Sequence, residues 1–196
     1  SISGDPADIA KFREWLGDCT ALLTKIKPTP KELLDTVAGF HADPDEQKKL
    51  EEQERQNLLK FGAQNWYSWN IKHWGTKWDV DAELDEGSST DDCLLFSFES
   101  AWSPPTQAMI SLGKLFPDLC IKLTYREDGC QFAGILTVDR ETVEDLYIDA
   151  SADKEAYRQW IINEFGDDPF EWENEEDEED EEDNGDEEVN EQSDKI

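Results

Sequence analysis

The chain has 196 residues and a formal net charge of −31 at pH 7, because 49 Asp and Glu residues outnumber 18 Lys and Arg residues. This excess of carboxylates argues against direct binding of nucleic acid or of anionic membranes, since both require basic surface. No run of about 18 apolar residues is present, so the sequence predicts no transmembrane helix. The charge instead favours a basic partner.

The first third of the chain predicts a short strand followed by helices. Residues 2–4 are typical of the end of a strand, and Asp5-Pro6 is typical of a helix start, with Asp as the cap and Pro at the first helical position. One apolar helix face is predicted from the spacing of Ile9, Phe12, Trp15, Leu16 and Cys19. We expect a second helix from about Pro30, and a mostly solvated helix with one buried end over residues 45–61.

The most unusual segment is 65–79, which contains four Trp and one Tyr. The segment fits a helix or a turn, as judged from the spacing of Trp66, Trp69, Ile71 and Trp74. Gly75-Thr76 is expected to end this element, before an extended segment that begins at Lys77. Three interpretations stay open for these aromatic residues: packing in the core, an exposed surface for a protein partner, or a platform on which bases stack.

The second half of the chain predicts strands mixed with helices. Strands are predicted over residues 94–101, 119–125 and 131–138, and the last two are joined by a hairpin turn at 127–129. Helices are predicted after Ser103-Pro104-Pro105 and after Ser151. Hairpins combined with separately placed helices predict an α+β fold, with an antiparallel sheet covered by helices on one face.

Residues 171–196 form a low-complexity acidic tail. They contain sixteen acidic residues and one lysine, which leaves −16 on residues 1–170. The apolar surface that these residues could bury is too small to offset the entropy lost on ordering. The tail is therefore predicted to be disordered. It is either a solvated appendage that aids solubility or a docking strip for a basic surface. We therefore expect one α+β domain over residues 1–170, with a helical insertion at about 28–74, and a disordered tail over residues 171–196.

Several short motifs occur in the order in which they occur in a known family. They are Ile2-Ser3-Gly4-Asp5-Pro6, Asn65-Trp66-Tyr67-Ser68-Trp69-Asn70, Trp74-Gly75-Thr76-Lys77-Trp78-Asp79, Ala101-Trp102-Ser103-Pro104-Pro105, Leu115-Phe116-Pro117-Asp118-Leu119, Tyr125-Arg126-Glu127 and Phe132-Ala133-Gly134. Together they resemble the YubB (Api-type) ferredoxin-like family of uncharacterised phage and plasmid proteins over most of residues 1–140. The resemblance implies a ferredoxin-like α+β domain without an iron–sulfur cluster, encoded on a mobile element, and it implies no activity. From the resemblance we expect the strand that precedes Ile2 in the family to be cut to a stub here, and the acidic tail to be an individual addition to the shared domain.

No catalytic or metal-binding pattern stands out. His41 and His73 share no helix face with a Cys or with a second His, so the spacing indicates no metal site. The nucleophile-elbow, dinucleotide-binding and P-loop motifs are missing from the sequence. We therefore expect no enzymatic activity, no cofactor and no metal. The four widely spaced cysteines are interpreted as buried thiols in a reducing compartment, which favours the cytoplasm of a bacterial host.

The candidate interaction surface is expected where two of the family-like motifs meet. Its residues are Trp74, Thr76, Lys77, Trp78, Asp79, Trp102, Ser103 and Pro104. The favoured function is that of a mobile-element accessory protein that binds, without catalysis, a basic host protein that handles nucleic acid or acts in defence. DNA mimicry is the most specific form of this hypothesis. The alternative is a ferredoxin-like module that binds nucleic acid or a small ligand with its Trp-rich face.

Overall fold

The computed structural model describes residues 1–171, which form two compact units. Unit 1 consists of Ser1–Glu127 and Gly134–Tyr147, and unit 2 consists of Asp128–Ala133 and the described residues from Ile148 onward. The predicted disordered tail lies outside the described residues from Trp172 to its end.

Short elements alternate along the described residues. In chain order they are β1 (Ile2–Ser3), α1 (Pro6–Leu16), α2 (Leu22–Ile26), α3 (Lys31–Leu34), α4 (Pro44–Phe61), α5 (Trp66–Trp74), β2 (Glu83–Leu84), β3 (Cys93–Leu94), β4 (Phe96–Ser97), α6 (Thr106–Leu115), β5 (Cys120–Glu127), β6 (Phe132–Asp139), β7 (Thr142–Asp149) and α7 (Lys154–Phe165). Within residues 1–171, none of these helices combines the length and apolar character that a membrane span requires.

Five strands form one antiparallel sheet in the order β3-β1-β5-β6-β7. The first strand in the chain lies inside the sheet, because Ile2 pairs with Leu94 of β3 on one side and with Ile121 of β5 on the other. Strands β2 and β4 form a separate antiparallel pair. The predicted α+β fold with an antiparallel sheet and additional helices is therefore confirmed. The last strand, β7, had not been predicted.

The core of unit 1 joins the sheet to the helices around it. Helix α6 packs so tightly on the sheet that Gly113 lies directly against Val138 of β6, and Ile121 of β5 lies beside it. From α1, Phe12 is fully buried and meets Phe116 edge-to-face, with 5.1 Å between the ring centroids. Aromatic pairs with this geometry add stability beyond the area that they bury.

Local sequence signals explain where several helices begin. The Asp5 carboxylate accepts a hydrogen bond of 2.9 Å from the Ala7 amide, and Pro6 occupies the first helical position, as predicted. Helix α4 is largely exposed, also as predicted, and Phe61 at its end packs against the core. Its neighbours Leu58 and Leu59 remain exposed, however.

Two predictions, one on a helix and one on the cysteines, need correction. The helix expected from about Pro30 is only the four-residue α3, which ends at Leu34. The expected buried thiols are also wrong in part: Cys19 is buried, whereas Cys130 is exposed. The four cysteines form no disulfide with one another.

Unit 2 is built around α7. The carboxylate of Asp153 accepts a hydrogen bond from the Ala156 amide and caps the helix, which ends at Gly166 with a left-handed backbone. The core of this unit contains the buried side chains of Tyr157 and Ile161 from α7 and of Phe170 from the segment after the helix. That segment is fixed by the ion pair between Arg158 and Asp168. The hydrogen bonds from Arg158 lower the pKa of Asp168 below its ordinary value.

Candidate interaction surface

Two segments that are 25 residues apart in sequence lie side by side in unit 1. The Thr76 hydroxyl donates a hydrogen bond of 2.9 Å to the Ala101 carbonyl oxygen. In the opposite direction, the Ser103 hydroxyl donates a bond of 2.6 Å to the Gly75 carbonyl oxygen. These reciprocal bonds bring together the two motifs in which the interaction surface was predicted.

The turn after α5 brings the two segments this close. Gly75 caps α5 with φ of +91°, in the left-handed region that glycine adopts without a steric penalty. A Cβ atom at this position would be only 3.0 Å from the Pro104 carbonyl oxygen and 3.1 Å from the Thr106 amide nitrogen. Glycine is therefore required both by the backbone conformation and by the close approach of the second segment.

Three of the predicted surface residues have structural roles. Trp74 and Thr76 are buried, and the Trp74 indole N–H donates a 2.8 Å hydrogen bond to the Lys27 carbonyl oxygen. The Asp79 carboxylate accepts bonds from the amides of Leu23, at 2.7 Å, and Thr24, at 3.1 Å. These amides lie at the start of α2, which has no side-chain cap of its own. Trp74 and Thr76 therefore support the surface from below, and Asp79, which is only partly buried, fixes the start of α2.

The outer part is a cluster of two exposed indoles and one half-buried lysine, which we call the Trp–Lys–Trp cluster: Lys77, Trp78 and Trp102. Trp78 is 57% exposed and Trp102 is 73% exposed. The Lys77 ammonium lies 3.9 Å from the centre of the Trp78 ring and 5.7 Å from that of the Trp102 ring, within the range of cation–π attraction. Trp102 has φ of +67°, which is uncommon for a large residue. The backbone therefore holds this indole outward in a strained conformation.

The Trp-rich segment is thus divided between core and surface. Trp69 and Trp74 are buried and their rings meet edge-to-face at 6.0 Å, as the core interpretation predicted. Trp66 is partly buried against the same core. Among the four tryptophans of this segment, only Trp78, which follows the helix, is exposed as the surface interpretations require. Sequence periodicity does not identify Trp102 as its neighbour, because that contact depends on the turn at Gly75.

An acidic groove begins directly after Trp78. It has a volume of about 560 Å³ and is lined by Asp79, Val80, Asp81, Glu83, Ser97, Phe98 and Glu99. Asp81, like Asp79, accepts a hydrogen bond near the start of α2, from the Ala21 amide at 2.8 Å. Glu83 and Glu99 lie on the exposed rim. Four carboxylates and no basic side chain line the groove, so it is suited to a cationic group.

The geometry of the histidines and carboxylates does not suggest a metal centre. Within residues 1–171, no three His, Cys, Asp or Glu side chains converge as potential metal ligands. The His73 ring packs 4.4 Å from that of Trp69. Burial lowers the pKa of His73, and the positive charges of Lys27 and Lys72 lower it further. Neutral imidazole is therefore favoured at this position. The expected lack of catalysis stays a prediction.

Comparison with known proteins identifies a family for this chain. A family model described as a ferredoxin-like domain in Api92-like protein matches residues 73–194. The match thus extends into the acidic tail, which was expected to be an addition to the shared domain. No curated protein and no solved structure matches the chain. The matched range contains the Trp–Lys–Trp cluster and the acidic groove, whereas α1 to α4 precede it. Because the match covers more than half of the sequence, the chain belongs to the family of Api92-like proteins that contain this ferredoxin-like domain.

Proposed function

We propose that this protein is a non-catalytic interaction protein that binds a basic partner at the Trp–Lys–Trp cluster and the adjoining acidic groove. The proposal depends on one observation: Trp78 and Trp102 are exposed next to each other on a backbone fixed by the bonds of Thr76 and Ser103. Tryptophan is enriched at the energetic centres of protein interfaces. Because the backbone beneath the two rings is already ordered, a partner that covers them loses little conformational entropy.

The chemistry of the surface favours arginine as the group recognised. Its planar guanidinium forms paired hydrogen bonds with carboxylates and stacks on aromatic rings. Glu83 and Glu99 supply carboxylates at the rim of the groove, and Trp102 supplies an exposed ring. The position of the Lys77 ammonium over Trp78 supports this choice, since it places a cation within cation–π range of one of these rings. We infer that a partner inserts an arginine into the groove and covers the two indoles with apolar side chains.

The more specific form of the proposal concerns the identity of the partner. Basic surfaces that accept a strongly acidic protein are typical of proteins that handle nucleic acid. We propose a host protein of this kind, or a defence protein, in the cytoplasm of a bacterium that carries the gene on a phage or plasmid. In the DNA-mimicry form, carboxylates occupy the partner's phosphate sites. The charge of −16 on residues 1–170 supports this form, because mimicry requires charges in fixed positions.

A pull-down from bacterial lysate tests the proposal. The full chain is expected to capture basic proteins that elute with salt, because charge attraction is screened as ionic strength rises. W78A/W102A and E83K/E99K are expected to lose this capture. F40A/Y67A is the matched control for the first pair, because it removes two exposed aromatic rings elsewhere in unit 1. Capture that survives in both surface variants contradicts the proposal, and capture that is lost only when residues 172–196 are deleted assigns binding to the tail.

A second candidate function is the binding of single-stranded nucleic acid. The adjacent exposed rings of Trp78 and Trp102 favour it, because aromatic side chains stack on bases whatever their sequence. Fluorescence anisotropy with labelled single-stranded DNA and RNA at physiological salt separates the two functions. Binding that disappears in W78A/W102A supports this candidate and counts against the protein partner.

A further inference from the structure

We propose that the outer edge of β7 binds an extended, basic segment of a partner protein by strand addition. This surface is separate from the Trp–Lys–Trp cluster and is assigned here to a different kind of ligand. β7 is the last strand in the sheet order, so among residues 1–171 it has a neighbouring strand only in β6. Residues 142–147 are all exposed, including Val143 at 45% and Leu146 at 51%.

The turn before β7 determines which backbone groups face outward. β6 ends at Asp139 and β7 begins at Thr142, so a two-residue turn joins them, and Arg140 in this turn has φ of +54°. Such hairpins begin with a hydrogen-bonded pair next to the turn, and bonded and non-bonded pairs then alternate. Val143 and Asp145 therefore direct their amide and carbonyl groups away from β6, toward the open edge.

This edge has few of the features that normally protect an exposed strand. Edge strands are commonly short or contain proline, a bulge or lysine. β7 has eight residues and contains no Pro, Gly or Lys. What it does contain is two adjacent carboxylates, Glu144 and Asp145. In a chain with a net charge of −31 these carboxylates oppose pairing with a second copy, because like charges would face each other across the strands.

The same carboxylates specify the sequence of the partner segment. Side chains alternate along a strand, so Val143 and Asp145 share one face of the sheet and Glu144 and Leu146 share the other. A pairing strand places one basic residue opposite each carboxylate and apolar residues opposite Val143 and Leu146. The structure therefore assigns to this edge an extended segment in which two consecutive Lys or Arg residues are flanked by apolar ones.

Tyr125 supports the carboxylate at this edge. Its hydroxyl donates a hydrogen bond of 3.4 Å to Asp145. Burial, with a further contribution from the negative charge of Asp145, raises the pKa of Tyr125 to about 12, so the phenol remains a donor at physiological pH. The bond orients Asp145, while Glu144 is exposed on the opposite face.

The test measures binding of a fluorescein-labelled peptide with the sequence TTVKRVTT to the full chain by anisotropy. Two further versions of the peptide are N-methylated, each on one of the two alternating sets of amides. Strand addition uses only every second amide, so one version is expected to bind and the other is not. Side-chain recognition alone would treat the two versions alike, and that result, or a lack of binding by the unmodified peptide, overturns the proposal.

Protein variants locate the site. E144K/D145K is expected to raise the Kd by about tenfold or more, since both cross-strand ion pairs become repulsive. V143P removes an outward N–H and is expected to weaken binding similarly, while an edge strand tolerates the proline. E14K/E51K is the matched control, because it changes the net charge equally at exposed positions on α1 and α4. If E14K/E51K and E144K/D145K weakened peptide binding equally, the assignment would be overturned. Peptide binding that is unchanged in W78A/W102A would separate this edge from the Trp–Lys–Trp cluster.

Discussion

Asp79 can be tested for two alternative roles. The sequence motifs place it on the interaction surface, whereas in the structure its carboxylate caps helix α2. Its carboxylate accepts hydrogen bonds from the amides of Leu23, Thr24 and Val80. The N-cap position of α2 is Ala21, whose side chain cannot accept a hydrogen bond. Asp79, 56 residues from Leu23, therefore serves as the cap that α2 lacks locally.

The free energy lost in D79A follows from these bonds. Removal of an N-cap side chain costs about 0.5–2 kcal/mol, and loss of a negative charge at a helix N-terminus costs about 0.3–1 kcal/mol. The amide of Leu23, a fully buried residue, would also lose its acceptor, which costs about 1–3 kcal/mol. These contributions overlap, so we expect D79A to lower the free energy of unfolding by about 2–4 kcal/mol. D79N keeps one acceptor oxygen and should lose only about 1 kcal/mol, mainly through the charge.

Urea unfolding followed by far-UV circular dichroism measures these differences. With a slope of about 2 kcal/mol per molar urea, D79A should move the midpoint down by about 1–2 M, and its melting temperature should fall by about 5–15 °C. D91A is the matched control, because Asp91 is exposed and the change should cost less than about 0.5 kcal/mol. If D79A were as stable as D91A but lost the basic partner in a pull-down, Asp79 would be a binding residue and the capping assignment would be refuted.

Two further predictions concern stability. G113A should destabilise the protein by about 1–3 kcal/mol, because the new methyl group collides with Val138, and the urea midpoint of G113A/V138A should fall by less than the sum of the single changes. The second concerns His73, whose pKa is lowered in the folded state from its usual value of 6.5. The unfolded chain therefore takes up the proton first, so stability is full above about pH 6.5 and falls as the pH decreases toward the folded pKa. H73Q should show a smaller fall in urea midpoint between pH 7.5 and pH 5.5 than the unchanged protein, and equal falls would contradict the assignment.

The elements that could be predicted from sequence are those whose signals are local. Asp5 and Pro6 mark the start of α1 within two adjacent residues, and the structure confirms both roles. Helix α5 is similar, because Asn65 and Ser68 form a reciprocal capping box and Gly75 ends the helix. In each case the residues that stop or start the helix lie within one turn of it, so an isolated sequence contains the information.

The elements that were missed depend on distant contacts or lack periodicity. Helix α2 has only five residues, and its amides are capped by Asp79 from far along the chain, so no start signal precedes it. Strand β7 is exposed on both faces, so Val143, Leu146 and Tyr147 do not alternate with polar residues as the side chains of a half-buried strand do. Pairing with β6 through a tight turn, and not burial, defines this strand.

The proximity of the two motifs was predictable from sequence, but the side chains that they expose were not. The co-occurrence of two motifs indicated that residues 76–79 and 102–105 meet, and the bonds of Thr76 and Ser103 bring these segments together. Which side chains face outward depends on the backbone at Trp102, whose positive φ has no sequence signature. The partition of the tryptophans therefore required the structure.

The carboxylates of this chain fall into two groups that the structure separates. One group of carboxylates, which includes Asp5, Asp79 and Asp153, accepts hydrogen bonds from backbone amides at helix starts. Substituting these residues should reduce stability. Glu83 and Glu144 are exposed and lie on the two proposed binding surfaces, where substitution should reduce binding and leave stability nearly unchanged. A general effect of net charge predicts no such division, so opposite responses of stability and binding in the two groups would show that recognition depends on where the charges lie.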